Sequence, residues 1–244
     1  KPVQLMQDAK ITEESKEAES FADSEADLAR WRSEREKILE KASRPVSISA
    51  TSIARINKES VEDVYPYRTG RGGTRLGRAV HSVLQSIDLR DGSGLEETAR
   101  AQSSNEGIPE KTNEVVRLVN NALNTSVVKR AVASGRFYRE VYVSAQTESG
   151  LVDGFVDLLF EEEDGLVVVD YKTDTIDEEP AESKVYLYSL QAGIYALITQ
   201  QVTEKRVKEV VLLFLKGPKE VQFTNLVEQM EIAKKAVKSA FQGS

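Results

Sequence analysis

The pattern of apolar and polar positions changes period part-way along the chain. Phe137 to Ala145, Leu151 to Phe160 and Leu166 to Tyr171 are runs of β-branched, aromatic and aliphatic residues. Glu148-Ser149-Gly150 and Glu163-Asp164-Gly165 separate them. Strand-forming runs joined by tight turns predict an antiparallel meander. Beyond it the pattern predicts a helix over about 183–201, a strand at 209–215, a short strand near 220–224 and a helix to about 241. Upstream the period is helical. An amphipathic segment runs to about Asp88, and 91–136 reads as helix broken at Gly92-Ser93-Gly94, Gly107-Ile108-Pro109 and Ser134-Gly135. Ser47 to Ile53 reads as a short extended piece leading into a capped helical turn. The predicted class is α/β (α+β), a small mixed central sheet with an antiparallel meander and helices on both faces.

Residues 1–43 stand apart. Glu13, Glu14, Glu17, Glu19, Asp23, Glu25 and Asp27 crowd one stretch opposed only by Lys16. Leu28, Trp31, Arg35, Ile38 and Leu39 recur at helical spacing, predicting a helix over about 24–42 that stops near Ser43-Arg44-Pro45. Trp31, Ile38 and Leu39 are expected to lie on the domain that follows. The expected division is an arm at 1–43 and a main domain at 44–244.

Composition narrows the chemistry. Hydrophobic residues make up 40% of the 244 and charged residues 30%, enough apolar material for a sizeable core. The absence of cysteine excludes disulfides, thiolate zinc sites, cysteine-ligated iron–sulfur clusters and a cysteine nucleophile. A single histidine, His81, excludes any site needing two imidazoles. No apolar run of about 18 residues exists to span a membrane, and the first residues lack the basic-then-apolar pattern of a secretory signal. A cytoplasmic setting is therefore expected. The first residue, Lys1, suggests a piece of a longer chain. The net charge of −7 argues against nucleic-acid binding by bulk electrostatics and leaves room for a local basic patch.

Such a patch exists. Arg68, Arg71, Arg75, Arg78 and His81 are spaced 3, 4, 3 and 3 apart, with no acidic residue between Val64 and His81. Where this segment is helical they form one stripe, and guanidinium groups suit phosphate. In the strand region Asp170 and Lys172, two apart, share one face of a strand. The hairpin brings Asp157 beside them. Two carboxylates and an ammonium at the end of an apolar sheet are costly unless paired or used. Oxygen-rich surroundings suit Mg²⁺ or Mn²⁺, with the lysine placed to orient or help deprotonate a bound water and to stabilise phosphoryl charge. The plain alternative is a partly buried Asp–Lys ion pair capping a strand end. On the next helix Gln191 and Tyr195, four apart, share a face and could bind a phosphate or nucleotide nearby. The alternative is a half-buried tyrosine with its glutamine neighbour.

Taken in order, Gly77-x-x-x-His81, Glu140, Gly154-x-x-Asp157, Asp170-Tyr171-Lys172-Thr173 and Gln191-x-x-x-Tyr195 resemble the RecB-like branch of the PD-(D/E)xK nuclease superfamily. The match covers about residues 47–215. Ser49-Ala50-Thr51 also looks like the start of nuclease modules at the C-terminus of UvrD/Rep-type helicases, and the Trp31 arm like their connecting helix. The resemblance implies a restriction-endonuclease-like core and metal-dependent hydrolysis of DNA phosphodiesters in repair or recombination, exonucleolytic rather than endonucleolytic. It implies Asp157 and Asp170 as main metal ligands, joined by His81 and the backbone carbonyl of Tyr171. Lys172 would act on the attacking water, Gln191 and Tyr195 would hold the DNA strand, and Glu140 matches an acidic position of the family. Arg71, Arg75 and Arg78 would add phosphate contacts. Mg²⁺ or Mn²⁺ would be the cofactor, and DNA and the helicase motor domains of the same parent chain the partners. Some members carry an iron–sulfur cluster on flanking cysteines; this chain has none. Two other readings remain: a catalytically silent DNA-binding or docking module of a helicase using the same groove, and a structure-specific or restriction-type endonuclease sharing the core, where the lack of a sequence-reading insertion argues against site-specific recognition.

Overall fold

In the computed structural model the described residues are 27–36, 47–56, 74–174 and 182–242. The chain divides into two compact units, Lys1–Pro45 with Ser244, and Val46–Gly243. In the first, helix α1 spans 27–36, inside the expected 24–42; Ile38 and Leu39 lie outside the described residues. Trp31 is 58% exposed, with the Arg35 guanidinium over its ring.

The second unit runs β1 (Ser47–Ser49), α2 (Ala50–Ile56), α3 (Arg75–Ser86), α4 (Leu95–Asn105), a 3₁₀ turn (Pro109–Lys111), α5 (Thr112–Leu123), α6 (Ser126–Ser134), β2 (Phe137–Gln146), β3 (Leu151–Glu162), β4 (Gly165–Lys172), α7 (Glu182–Thr203), β5 (Val207–Phe214), β6 (Lys219–Phe223) and α8 (Leu226–Gln242). The predicted helix breaks at 92–94 and 107–109 fall between helices, and the one at 134–135 ends α6 ahead of β2. Side-chain caps start two of the helices: Thr74 accepts from the Gly77 N–H at 3.0 Å at the head of α3, and Ser49 from the Ser52 N–H at 3.2 Å at the head of α2.

The predicted meander is β2–β3–β4, antiparallel throughout. The sheet is mixed because β1 joins β3 in parallel and β5 joins β4 in parallel, with β6 antiparallel on β5. Two helical layers cover it. Leu76, Val80 and Val83 of α3 and apolar residues of α5 and α6 bury Leu158, Phe160, Val167, Val169 and Tyr171 on one face. Leu190, Ile194 and Ile198 of α7 and Ala233 and Val237 of α8 bury Val152, Val156, Leu166 and Val168 on the other.

The sheet forks, and the fork makes the site. One edge of β3 carries β2 along its length. The other carries β1 only as far as Asp153 and β4 only from Leu158 onward. Gly154 to Asp157 therefore face an opening where β4 parts from β3. Here the strands also change faces. Val141, Val143 and Ala145 pack toward α7 and α8, whereas Phe137 packs toward α3, α5 and α6. On β3, Val156 packs on the α7 side and Leu158 on the α3 side. The switch occurs at Glu140, whose φ of 52° is left-handed for a non-glycine residue, opposite Asp157. A strained backbone position beside a charged cluster is typical of functional sites.

Candidate active site

Asp157 supplies for the fork what the missing ladder cannot. Its Oδ2 accepts from the backbone N–H of Tyr171 at 2.7 Å, the amide left over where β4 leaves β3. Its Oδ1 lies 2.9 Å from His81 Nδ1, and His81 Nε2 is 3.2 Å from the carbonyl oxygen of Tyr171. The buried α3 stripe of Leu76, Val80 and Val83 holds His81 in place over the fork. Gly77 makes room for that approach, since a Cβ there would stand 3.1 Å from Thr173 Oγ1. The spacing Gly77-x-x-x-His81 is thus one helical turn. Its first residue lets the end of β4 come close, and its last meets Asp157.

Ligand atoms of His81, Glu140 and Asp157 all lie within 4.8 Å of one another. Opposed oxygen donors around a Mg²⁺ ion at about 2.1 Å stand about 4.2 Å apart, so the cluster needs only slight contraction to close on a cation. Two carboxylates, an imidazole and the Tyr171 carbonyl are a donor set that fits a hard or borderline divalent ion. Asp170 stands on the α7 side of β4. Its Oδ2 is 2.6 Å from Lys172 Nζ, in an ion pair without the alignment of a hydrogen bond, and Gln191 Nε2 is 3.5 Å from Oδ1. The expected shared face of Asp170 and Lys172, two residues apart on β4, is observed.

The electrostatics follow from burial and mutual charge. Desolvation alone would lower the His81 pKa, but the carboxylate of Asp157, with Asp170 and Glu140 behind it, pushes it up to about 9. Burial raises Asp170, with Asp157 adding to the rise and Lys172 opposing it. Burial pulls Lys172 down, yet Asp170 outweighs it and leaves its pKa raised. The pocket thus holds a cationic imidazole and an ammonium among carboxylates.

Gln191 and Tyr195 are both buried, beneath the carboxylates rather than at the surface. Tyr195 lies against the sheet because β3 has Gly154 there; a Cβ on Gly154 would be 3.3 Å from its ring. Of the arginine stripe, Arg68 and Arg71 lie outside the described residues. Arg75 is exposed in the first turn of α3. Arg78 Nε donates to Glu106 at 2.9 Å, tying α3 to the end of α4. Sequence reasoning passed over Arg139, which donates to the carbonyls of Leu84 and Ile87 and so closes the C-terminus of α3. A lone arginine in a strand carries no signal of that role.

The fork in the mixed sheet thus gathers two carboxylates and a helix-borne histidine, with Asp170 and Lys172 on the adjoining strand. The chain matches the PD-(D/E)XK nuclease superfamily over residues 49–243 and belongs to it. It is 25% identical over 255 aligned residues to the A subunit of the ATP-dependent helicase/nuclease from Clostridium novyi (strain NT), covering 89% of this chain and 20% of that protein. The protein of the same name from Thermoanaerobacter sp. (strain X514) is 29% identical over 210 residues, covering 71% of this chain and 17% of that one. The chain thus spans about a fifth of the length of these relatives. Among solved structures, a candidate exonuclease of Eubacterium rectale aligns over 79% of this chain and 73% of its own, at 12% identity and a TM-score of 0.43. Among the described residues no helix is long and apolar enough to cross a membrane.

Proposed function

We propose that the chain is the nuclease module of a helicase–nuclease acting on DNA in repair or recombination, and that it hydrolyses phosphodiesters exonucleolytically with Mg²⁺ or Mn²⁺. The observation that carries this reading is the convergence of His81, Glu140 and Asp157 from a helix and two strands on one small volume at the sheet fork. The names of the relatives, both helicase/nuclease proteins, support it and suggest DNA and helicase motor domains of one parent chain as its partners.

His81, Glu140, Asp157, Asp170 and the Tyr171 carbonyl would hold the cation. When bound, such an ion polarises a phosphodiester and makes water a nucleophile near neutral pH. The protein's own groups do the rest. Lys172, protonated beside Asp170, meets charge that builds on the phosphate oxygens and orients the incoming water. Gln191 fixes the Asp170 carboxylate from below, and Tyr195 packs against the strand that carries Asp157; both would act on the DNA strand through the groups they hold in place rather than by touching it. Arg75, exposed in the first turn of α3, would steer phosphate toward it, with Arg71 as a further candidate, whereas Arg78 is committed to Glu106.

The test is cleavage of labelled single- and double-stranded DNA with Mg²⁺, Mn²⁺ or EDTA, beside Asp170→Ala and Lys172→Ala. Metal-dependent cleavage lost in both variants is expected. Cleavage surviving both would overturn the assignment, and absence of both cleavage and metal binding would favour a docking module.

A further inference from the structure

Beside the proposed cation site, on the same two strands, stands an aromatic pair that the chemistry so far leaves unused. Tyr142 of β2 and Phe155 of β3 are directly opposed across the ladder, their ring centroids 5.2 Å apart and their planes tilted by 52°. They are 54% and 49% exposed. Val141, Val143, Val152 and Val156 turn into the core on the α7 side. Strand alternation therefore turns Tyr142 and Phe155 to the opposite face, the one on which α3 and His81 stand. Each is two residues from a member of the cluster, Tyr142 from Glu140 and Phe155 from Asp157. On β3 the pair stands beside the opening, past the last β1 partner at Asp153 and short of the first β4 partner at Leu158. The Tyr142 hydroxyl donates to Asp153 at 3.2 Å, so the ring is fixed at its polar end while the side chain remains half exposed.

The geometry points to Tyr142 and Phe155 as a stacking platform that seats an unpaired base next to the bond to be cut. This rests on the nuclease reading above and names the form of substrate the site accepts: a single strand, whose base faces are free, in contrast to a duplex, whose faces are occupied by neighbouring pairs. Continuity with the cation site argues for nucleobases as the occupant. The rings stand two residues along each strand from Glu140 and Asp157, and base stacking on an aromatic face tolerates any sequence. The two residues are positioning residues; neither touches the reacting atoms.

The experiment uses the chain with Ca²⁺ in place of Mg²⁺ and measures the affinity of a fluorescent oligo-dT strand against an abasic strand of equal length and charge. Wild type is expected to prefer oligo-dT. Tyr142→Ala with Phe155→Ala should lose that preference, weakening oligo-dT by roughly 5- to 100-fold, the range for one stacked base, while the abasic strand binds as before. Tyr142→Phe, which keeps the ring and loses the Asp153 bond, should retain most of it. Unchanged oligo-dT affinity in the double alanine variant, or equal binding of both strands by wild type, would overturn the platform and leave the face to a protein partner. Cleavage of oligo-dT with Mg²⁺ is read in parallel. If it is absent from wild type together with metal binding, the nuclease reading fails; if it persists while the stacking preference does not exist, only the platform fails.

Discussion

At the scale of single residues, Asp157 carries two duties that substitutions separate. One oxygen completes the backbone at the fork and the other faces His81. Asp157→Asn keeps an acceptor for the Tyr171 N–H, so its stability should stay within about 1 kcal/mol of wild type, whereas Asp157→Ala leaves that buried amide unpaired at a cost of about 1–3 kcal/mol. Both should lose cleavage by at least about 100-fold, a span typical of removing one charged group from a catalytic centre. Urea titration and single-turnover cleavage separate the two effects. As a ligand of the proposed cation, His81 would set the pH behaviour. A metal-binding imidazole must be neutral, and in the free protein its pKa is pushed up to about 9. Below that value a proton competes with the cation, so the apparent Mn²⁺ affinity should rise about tenfold per pH unit from 7 toward 9 and then level off. In His81→Gln that slope should vanish; calorimetric titrations at pH 7 and 8.5 test it. The same raised pKa stabilises the metal-free fold below about pH 6.5, the unfolded value, and this contribution disappears as pH climbs through about 9.

At the scale of elements, two contacts fix how strands and helices meet, and neither was apparent in the residue pattern. Helices α7 and α8 cross at Gly193, where a Cβ would stand 2.1 Å from the Gln229 carbonyl oxygen. Gly193→Ala must push the helices apart, and its urea midpoint should fall by the equivalent of about 1–3 kcal/mol with the m-value unchanged. At the far end of the sheet, Arg130 of α6 bridges Glu162 of β3 and the buried Glu209 of β5 at 3.0 and 2.7 Å. The Arg130 bond holds the Glu162 carboxyl down at about 2, so the stability it contributes is complete above about 4.5 and fades as pH falls from there toward 2. Arg130→Met strands Glu209, and should cost about 1–3 kcal/mol at pH 7, less at pH 3. Thermal melts at the two pH values test this. The strand runs, the breaks and the helical spacing did reveal the elements themselves, because period and turn residues are local properties. Crossing points are not local, and a glycine in a helix reads the same whether it faces solvent or a neighbour's backbone.

At the scale of the whole molecule, the proposed cation site ties together elements remote in sequence: His81 on α3, Glu140 on β2 and Asp157 on β3. A cation bound there favours the folded state by mass action, about 2.7 kcal/mol at a hundredfold excess over its dissociation constant. Saturating Mn²⁺ should therefore raise the melting temperature of wild type and leave that of Asp157→Asn nearly unmoved.

The order of residues was enough to set the class of fold, because alternation and helical period follow from which side chains must be buried. It was also enough to put Asp170 and Lys172 on one face, since they sit two residues apart on a strand. His81, Glu140 and Asp157 stood out in it only as separate marks along the chain. Folding is what makes them meet, by splitting the sheet at β3, turning Glu140 through a left-handed φ and laying α3 across the gap. Folding also sank Gln191 and Tyr195 beneath the carboxylates, gave Arg78 to Glu106, and left Tyr142 and Phe155 facing outward beside the fork. The reason is physical. Periodicity records burial along one element, whereas a site at a fork depends on where strands stop pairing, which hydrogen bonds across the sheet decide.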